Sequence, residues 1–344
     1  MSFKSSYIYI FIILTLIVLF RENFNFTLGD REAYFNYEGW GAEDAFRNRL
    51  TAYIFTNLKY FGEILFCILY YKNVFKLSSL LLLSTKIKAY FNSRLVYYSI
   101  LLCLFAPVTI IFTSFAGKDI ISIFLASELC IDLLEFKYYK KTYKFNVFKI
   151  LKFAFYTILL IILRKISAIL FLILIPIVFI IINKNRFKNL PLIILPILIF
   201  SIISYWDQIY ELFYQEFFYQ WNASITEDAT FSSTNNAFTL QDFFLNSYQM
   251  FTSVSLIHFS QSFFKATLLL FNSFVTYIVT IFLSLIYFFK NLKIQNLFFF
   301  KALFLFIYFM MNGFLSQNNP GGAVRYMASA VPIYTTFIFA ILTE

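Results

Sequence analysis

Residues 266–289 read ATLLLFNSFVTYIVTIFLSLIYFF, a stretch without a single charged side chain. A helix of this length is about 36 Å long at 1.5 Å per residue, which exceeds the roughly 30 Å of hydrocarbon in a bilayer. The chain of 344 residues is 60% hydrophobic and 13% charged, whereas soluble domains are about 45–50% apolar and about 25% charged. The sequence therefore predicts an all-α, polytopic integral membrane protein.

Hydropathy along the chain predicts about ten transmembrane helices in a single transmembrane domain that covers residues 1–344. The expected spans are 7–20, 52–71, 95–115, 119–136, 147–163, 166–182, 190–206, 266–289, 297–314 and 327–342. No small-residue cleavage site follows the run 7–20, so it is interpreted as the first span and not as a signal peptide.

Lysine-rich segments give the expected orientation, because basic residues in short loops are retained in the cytoplasm. With ten spans, all of these segments fall on one side of the membrane. They are 72–94, 137–152, 183–189 and 290–293. Both termini are then cytoplasmic, and the two long loops, approximately 21–51 and 207–265, lie outside.

Arginines follow a different distribution, since six of the eight fall on the expected outer side. They are Arg21, Arg31, Arg47, Arg49, Arg164 and Arg325. A guanidinium binds phosphate or carboxylate through two parallel hydrogen bonds. The outer surface is therefore expected to bind an anion such as a lipid-linked pyrophosphate. Pairing with acidic residues of the same loop is the alternative for Arg21, Arg47 and Arg49.

Arg164 and Arg325 stand at the ends of apolar runs with few acidic residues nearby in sequence. Arg164 and Lys165 predict either a turn at head-group level or a polar cavity, because two adjacent cations are costly in lipid. Arg325 follows Asn318-Asn319-Pro320-Gly321-Gly322, which predicts a tight or re-entrant backbone. A side chain that extends to the head groups is the alternative for Arg325.

Several outer-side groups are candidate proton acceptors: Asp30, Glu32, Asp119 and the lone histidine, His258. Asp30 follows the first span closely, where a lipid-linked substrate would present its sugar. Asp119 has an alternative role as a helix N-terminal carboxylate. Glu128 is a further candidate, because an isolated carboxylate within a span is usually functional.

Motifs for other chemistries are missing from the sequence. It contains no GxxxxGK[ST] nucleotide loop, HExxH zinc motif, GxSxG serine-hydrolase motif or Asp-x-Asp pair. The three cysteines, Cys67, Cys103 and Cys130, do not have metal-ligand spacing. We therefore expect no metal and no cofactor.

Four short motifs resemble bacterial O-antigen and capsular polysaccharide polymerases of the Wzy-type, EpsG-like family. They are Asp30-Arg31-Glu32-Ala33-Tyr34, Ser114-Phe115-Ala116-Gly117-Lys118-Asp119, Arg164-Lys165-Ile166-Ser167-Ala168 and Arg325-Tyr326. The resemblance implies a glycosyltransferase of the bacterial inner membrane that polymerises undecaprenyl-pyrophosphate-linked oligosaccharide repeat units on the outer face. It further implies contact with membrane lipid, a chain-length regulator and a flippase, and no nucleic acid.

The expected site combines these motifs with the reasoning from charge. The candidate catalytic residues are Asp30, Glu32 and Asp119. The candidate pyrophosphate- and glycan-binding residues are Arg31, Lys118, Arg164, Lys165, Arg325 and Tyr326. Three alternative functions stay open: a polyprenyl-phosphate-dependent glycosyltransferase or O-antigen ligase, a lipid-glycan flippase or transporter, and a structural membrane subunit.

Overall fold

The computed structural model describes residues 34–36, 46–138, 147–182, 204, 254, 260, 263–290, 298–318 and 320–342. Every regular element in these ranges is helical, so the expected all-α class is confirmed for this part of the chain. The expected spans 7–20 and 190–206 lie outside the described residues. Most of the loops 21–51 and 207–265 lies outside them as well.

The described helices are numbered α1 to α11 in chain order. They are Phe46–Ser84, Ser93–Leu104, Pro107–Phe112, Lys118–Tyr138, Val147–Leu163, Lys165–Ile182, Phe263–Ser273, Val279–Lys290, Phe298–Asn318, Pro320–Ala328 and Val331–Thr336. A 3-10 turn, Ile87–Ala89, follows α1. Two π-helical turns, Phe274–Ile278 and Phe337–Leu342, continue α7 and α11.

Within the described part of the chain, three helical stretches are long and apolar enough to cross a membrane: Phe46–Ser84, Lys165–Ile182 and Ala266–Leu283. The surface of α5 also supports a membrane location. Leu160 and Leu163 are its buried residues, and most of its other side chains are apolar and face outward. A continuous exposed apolar surface is unusual for a protein in water. The fold thus indicates a membrane protein.

The expected span 95–115 is wrong as a single helix. α2 ends at Leu104, and α3 begins at Pro107. Proline lacks an N–H and disfavours helical geometry in the residue before it, and Ala106 is accordingly extended, with ψ at 140°. The Asn272 side-chain oxygen accepts the Val108 N–H at 3.1 Å. A polar side chain on α7 therefore satisfies the backbone at the break, as apolar surroundings require.

Two other expected boundaries also differ. α1 begins before the expected span 52–71 and continues to Ser84, so residues 72–84 are helical rather than part of a loop. At Asn318–Gly322, where a tight or re-entrant backbone is expected, α9 ends at Asn318 and α10 begins at Pro320, and residue 319 lies outside the described residues. Proline is favoured at the first helical position, where its missing N–H has no helical partner to lose.

Helix α4 lies at the centre of the described bundle and packs against α1, α5, α6, α10 and α11. α1 runs parallel to it, because Asn73 donates to Ser127 at 2.9 Å and Lys76 pairs with Glu135 at 2.7 Å. α5 and α6 form an antiparallel hairpin beside α4. The Phe153 and Phe171 rings of that hairpin are 5.7 Å apart.

Different basic side chains form contacts near the two ends of α4. At its C-terminal end, Lys137 donates to the Ala340 carbonyl at 2.7 Å, and Lys301 donates to the Leu342 carbonyl at 3.2 Å. At its N-terminal end, Arg164 and Arg325 bond to Asp119. Among these contacts, lysines bond at the C-terminal end of α4 and the two arginines bond at its N-terminal end.

Candidate functional site

The turn that leads into α4 is held by a buried carboxylate. Glu63 is 1% exposed, and its Oε1 accepts the Ala116 N–H at 2.7 Å. A Cβ on Gly117 would lie 3.8 Å from the Tyr34 ring, and the Tyr34 carbonyl accepts a hydrogen bond from Thr56 at 3.0 Å. These contacts fix the position of the first residues of α4.

Asp119, in the first turn of α4, is the centre of the site. Its Oδ1 accepts a hydrogen bond from Nη2 of Arg164, and its Oδ2 accepts one from Nε of Arg325 at 2.7 Å. The Asp119 and Arg164 side chains are each 5% exposed, and the Arg325 side chain is 22% exposed. Two guanidiniums from distant parts of the chain therefore share one buried carboxylate.

Arg164 is the residue at the turn of the α5–α6 hairpin. The chain turns at Arg164, between the end of α5 and the start of α6, and the Arg164 side chain is enclosed by protein. Its Cζ lies 4.2 Å from the centroid of the Tyr326 ring, a cation–π distance. Its Nε is buried and has no hydrogen-bond partner among the residues that the structure describes. Arg164 thus retains an unused donor inside the site.

Arg325 reaches Asp119 from α10, a helix of nine residues that packs against the short helix α3. The Arg325 Cζ lies 5.8 Å from the centroid of the Phe112 ring in α3. The break at Pro107 therefore has a consequence for the site, because it gives α3 a course separate from that of α2. The Arg325 side chain is the more exposed of the two guanidiniums at Asp119.

Lys118 adds a third basic side chain at the first residue of α4. Its Nζ donates to Oδ1 of Asn48 at 3.0 Å, near the start of α1. Burial, followed by the neighbouring Arg164 and Arg47 guanidiniums, lowers the pKa of Lys118 to about 7. Asp119 raises that pKa, and Arg325 lowers it further. Lys118 is outside the expected span 119–136.

The site therefore has an excess of positive charge. A buried cation is costly without a counter-charge, and one carboxylate faces both Arg164 and Arg325. Arg47 contributes a further buried Nε without a hydrogen-bond partner in the described part of the chain. An anionic ligand with several oxygen acceptors would balance this charge and use the spare donors.

Five of the expected site residues come together: Lys118, Asp119, Arg164, Arg325 and Tyr326. Lys165 does not, because it is exposed on the surface of α6. Asp30, Arg31, Glu32 and His258 lie outside the described residues. Sequence reasoning missed Asn48, Glu63 and Phe112, which are distant along the chain and belong to no motif.

The expected isolated carboxylate within a span is wrong. Glu128 pairs with Lys152 of α5 at 2.7 Å, and the same ammonium lies 3.0 Å from Asp132. Glu135 pairs with Lys76 of α1 at 2.7 Å. The acidic stripe of α4 is thus neutralised by lysines of the adjacent helices, which satisfies it structurally.

The described ranges contain no group of three His, Cys, Asp or Glu side chains placed to hold a metal ion. No family model matches the chain, and neither a curated protein nor a solved structure matches it.

Proposed function

We propose that this chain is a bacterial inner-membrane glycosyltransferase with about ten spans and cytoplasmic termini. It polymerises undecaprenyl-pyrophosphate-linked repeat units into a surface polysaccharide, O-antigen or capsule, on the outer face. The observation that carries the proposal is the convergence of Arg164 and Arg325 on the buried carboxylate of Asp119. This arrangement aligns two guanidiniums and leaves positive charge for a second anion.

The proposed reaction generates negative charge at the position that such a site would stabilise. A hydroxyl of the acceptor sugar attacks the anomeric carbon of the donor, and the bond from that carbon to the pyrophosphate oxygen breaks. Preorganised cations stabilise the leaving oxygen more than the starting ester, which lowers the barrier. Arginine suits this role because it keeps its charge in a low-dielectric site and can hold two oxygens at once.

Asp119 serves in this scheme to position the two arginines. Both carboxylate oxygens of Asp119 already accept hydrogen bonds from these guanidiniums. It is therefore a poor acceptor for the hydroxyl proton. Asp30 and Glu32 remain candidates from the sequence for that role.

Deletion of the gene in its native host, followed by gel analysis of surface polysaccharide, tests the proposal. Loss of long chains with retention of single repeat units on the lipid carrier is expected, because a polymerase acts after a unit is complete and exported. Complementation with wild type should restore long chains, and complementation with Arg325→Ala should not. Arg94→Ala, which changes an exposed arginine in the first turn of α2, is the matched control.

Two results would count against the proposal. Absence of even single lipid-linked units would indicate an earlier glycosyltransferase or a flippase. Wild-type chain length in the deletion strain would remove the chain from polysaccharide elongation altogether.

A further inference from the structure

Lys118 lies in the site among several charged side chains, and its contacts differ from those of the two arginines that we expect to bind the pyrophosphate. It is the first residue of α4, next to Asp119, and its Nζ donates to the Asn48 side chain at 3.0 Å. The charged groups that act on it come from four helices or turns. They are Arg47 of α1, Asp119 of α4, Arg164 of the α5–α6 turn and Arg325 of α10.

The Asp119 carboxylate does not neutralise this amine as it does the arginines. Its two oxygens accept hydrogen bonds from Arg164 and Arg325. Lys118 instead bonds to a neutral amide oxygen, which does not require the amine to be charged. The positive end of α4, where Lys118 lies, also disfavours a cation.

We propose that Lys118 is the proton acceptor of the glycosyl transfer: its neutral Nζ removes the proton of the attacking sugar hydroxyl. This inference rests on the function proposed above. The hydroxyl oxygen forms a bond to the anomeric carbon, while the bond from that carbon to the pyrophosphate oxygen breaks. The electron pair of the broken bond leaves on the pyrophosphate beside Arg164 and Arg325, and the hydroxyl proton moves to Lys118.

The electrostatics of the site favour this assignment. Burial and the surrounding guanidiniums lower the pKa of Lys118 to about 7, so a substantial fraction of the amine is neutral near physiological pH. General bases are most effective when their pKa lies near the working pH. An arginine at the same position would keep the charge but could not accept a proton.

The test is the pH dependence of chain elongation in spheroplasts of the deletion strain, where the buffer sets the pH at the outer face. Cells express matched amounts of wild type, Lys118→Arg or the control Lys72→Arg, which changes an exposed lysine of α1. Wild type and control should gain rate up to about pH 7 and then level off. Lys118→Arg should lose on the order of 10²-fold or more at pH 8 and show no such rise.

A second variant separates chemistry from folding. Lys118→Cys, treated with 2-bromoethylamine, regains an amine of similar length but lower intrinsic basicity. Partial recovery of elongation is expected, with the rise moved to lower pH. The described cysteines Cys67, Cys103 and Cys130 are buried, and reagent-treated wild type controls for their modification.

The failures of the two proposals are distinguishable. Elongation by wild type together with an unchanged rate and pH profile for Lys118→Arg would overturn the role of Lys118 and leave the polymerase function intact. Recovery of Lys118→Cys without a shift in its pH profile would also overturn that role. No elongation dependent on wild type would refute the polymerase function and this inference with it.

Discussion

Substitution at Asp119 should destabilise the protein more than loss of an ordinary ion pair. Asp119 and Arg164 are each 5% exposed, so Asp119→Asn leaves a buried guanidinium without its counter-charge. Removal of one partner of a buried pair costs about 3–5 kcal/mol. The Arg325 side chain is 22% exposed, and water screens its charge. We therefore expect Arg325→Met to cost less, on the order of 1 kcal/mol.

A double-mutant cycle measures the interaction directly. The free energies of unfolding of wild type, Asp119→Asn, Arg164→Met and the double variant are compared by denaturant titration in detergent micelles. Since the first substitution already breaks the pair, the second should cost less than it does in wild type. We expect a coupling energy between Asp119 and Arg164 of about 2–3 kcal/mol. Additive effects, or Asp119→Asn within about 0.5 kcal/mol of wild type, would refute the reasoning.

Three further predictions follow from other contacts. Arg325→Lys keeps the charge but loses the planar fork, so the rate of elongation should fall by on the order of 10²-fold. The loss would be measured as shorter polysaccharide at matched expression, and wild-type length would remove Arg325 from the site. Glu63→Leu leaves the buried Ala116 N–H without its acceptor and should lower the free energy of unfolding by about 1–3 kcal/mol, and an unchanged value would show that the turn is held by other contacts. A cysteine at Ser232 should be labelled by an impermeant reagent from outside intact cells, because the loop 207–265 is expected there; labelling from the cytoplasmic side alone would reverse the orientation.

Helices α4, α5 and α6 follow the predicted spans closely, with ends within two residues. Hydropathy locates these helices because each is a long apolar run bounded by charged residues or a turn. The break between α2 and α3 was missed although Pro107 signals it. Hydropathy treats proline as part of an apolar run, and it does not register the lost N–H.

The site was predicted in part. The arginines were identified because they stand at the ends of apolar runs on the side that should lack cations. Their shared partner could not be read from the sequence, since Asp119 is 45 residues from Arg164 and 206 residues from Arg325. Lys165 was included because it adjoins Arg164 in sequence. Neighbouring residues at a helix start point in different directions, and Lys165 is accordingly exposed.

Because the chain is synthesised from its N-terminus, the contacts of Asp119 form in a fixed order. Arg164 emerges soon after Asp119 and becomes its partner once the α5–α6 hairpin packs against α4. Arg325 belongs to a helix near the C-terminal end of the described chain, so it joins last. A nascent protein therefore contains a neutral buried pair, which the membrane tolerates, before Arg325 adds the second guanidinium at Asp119. Ligand affinity would then arise only after nearly the whole bundle has assembled.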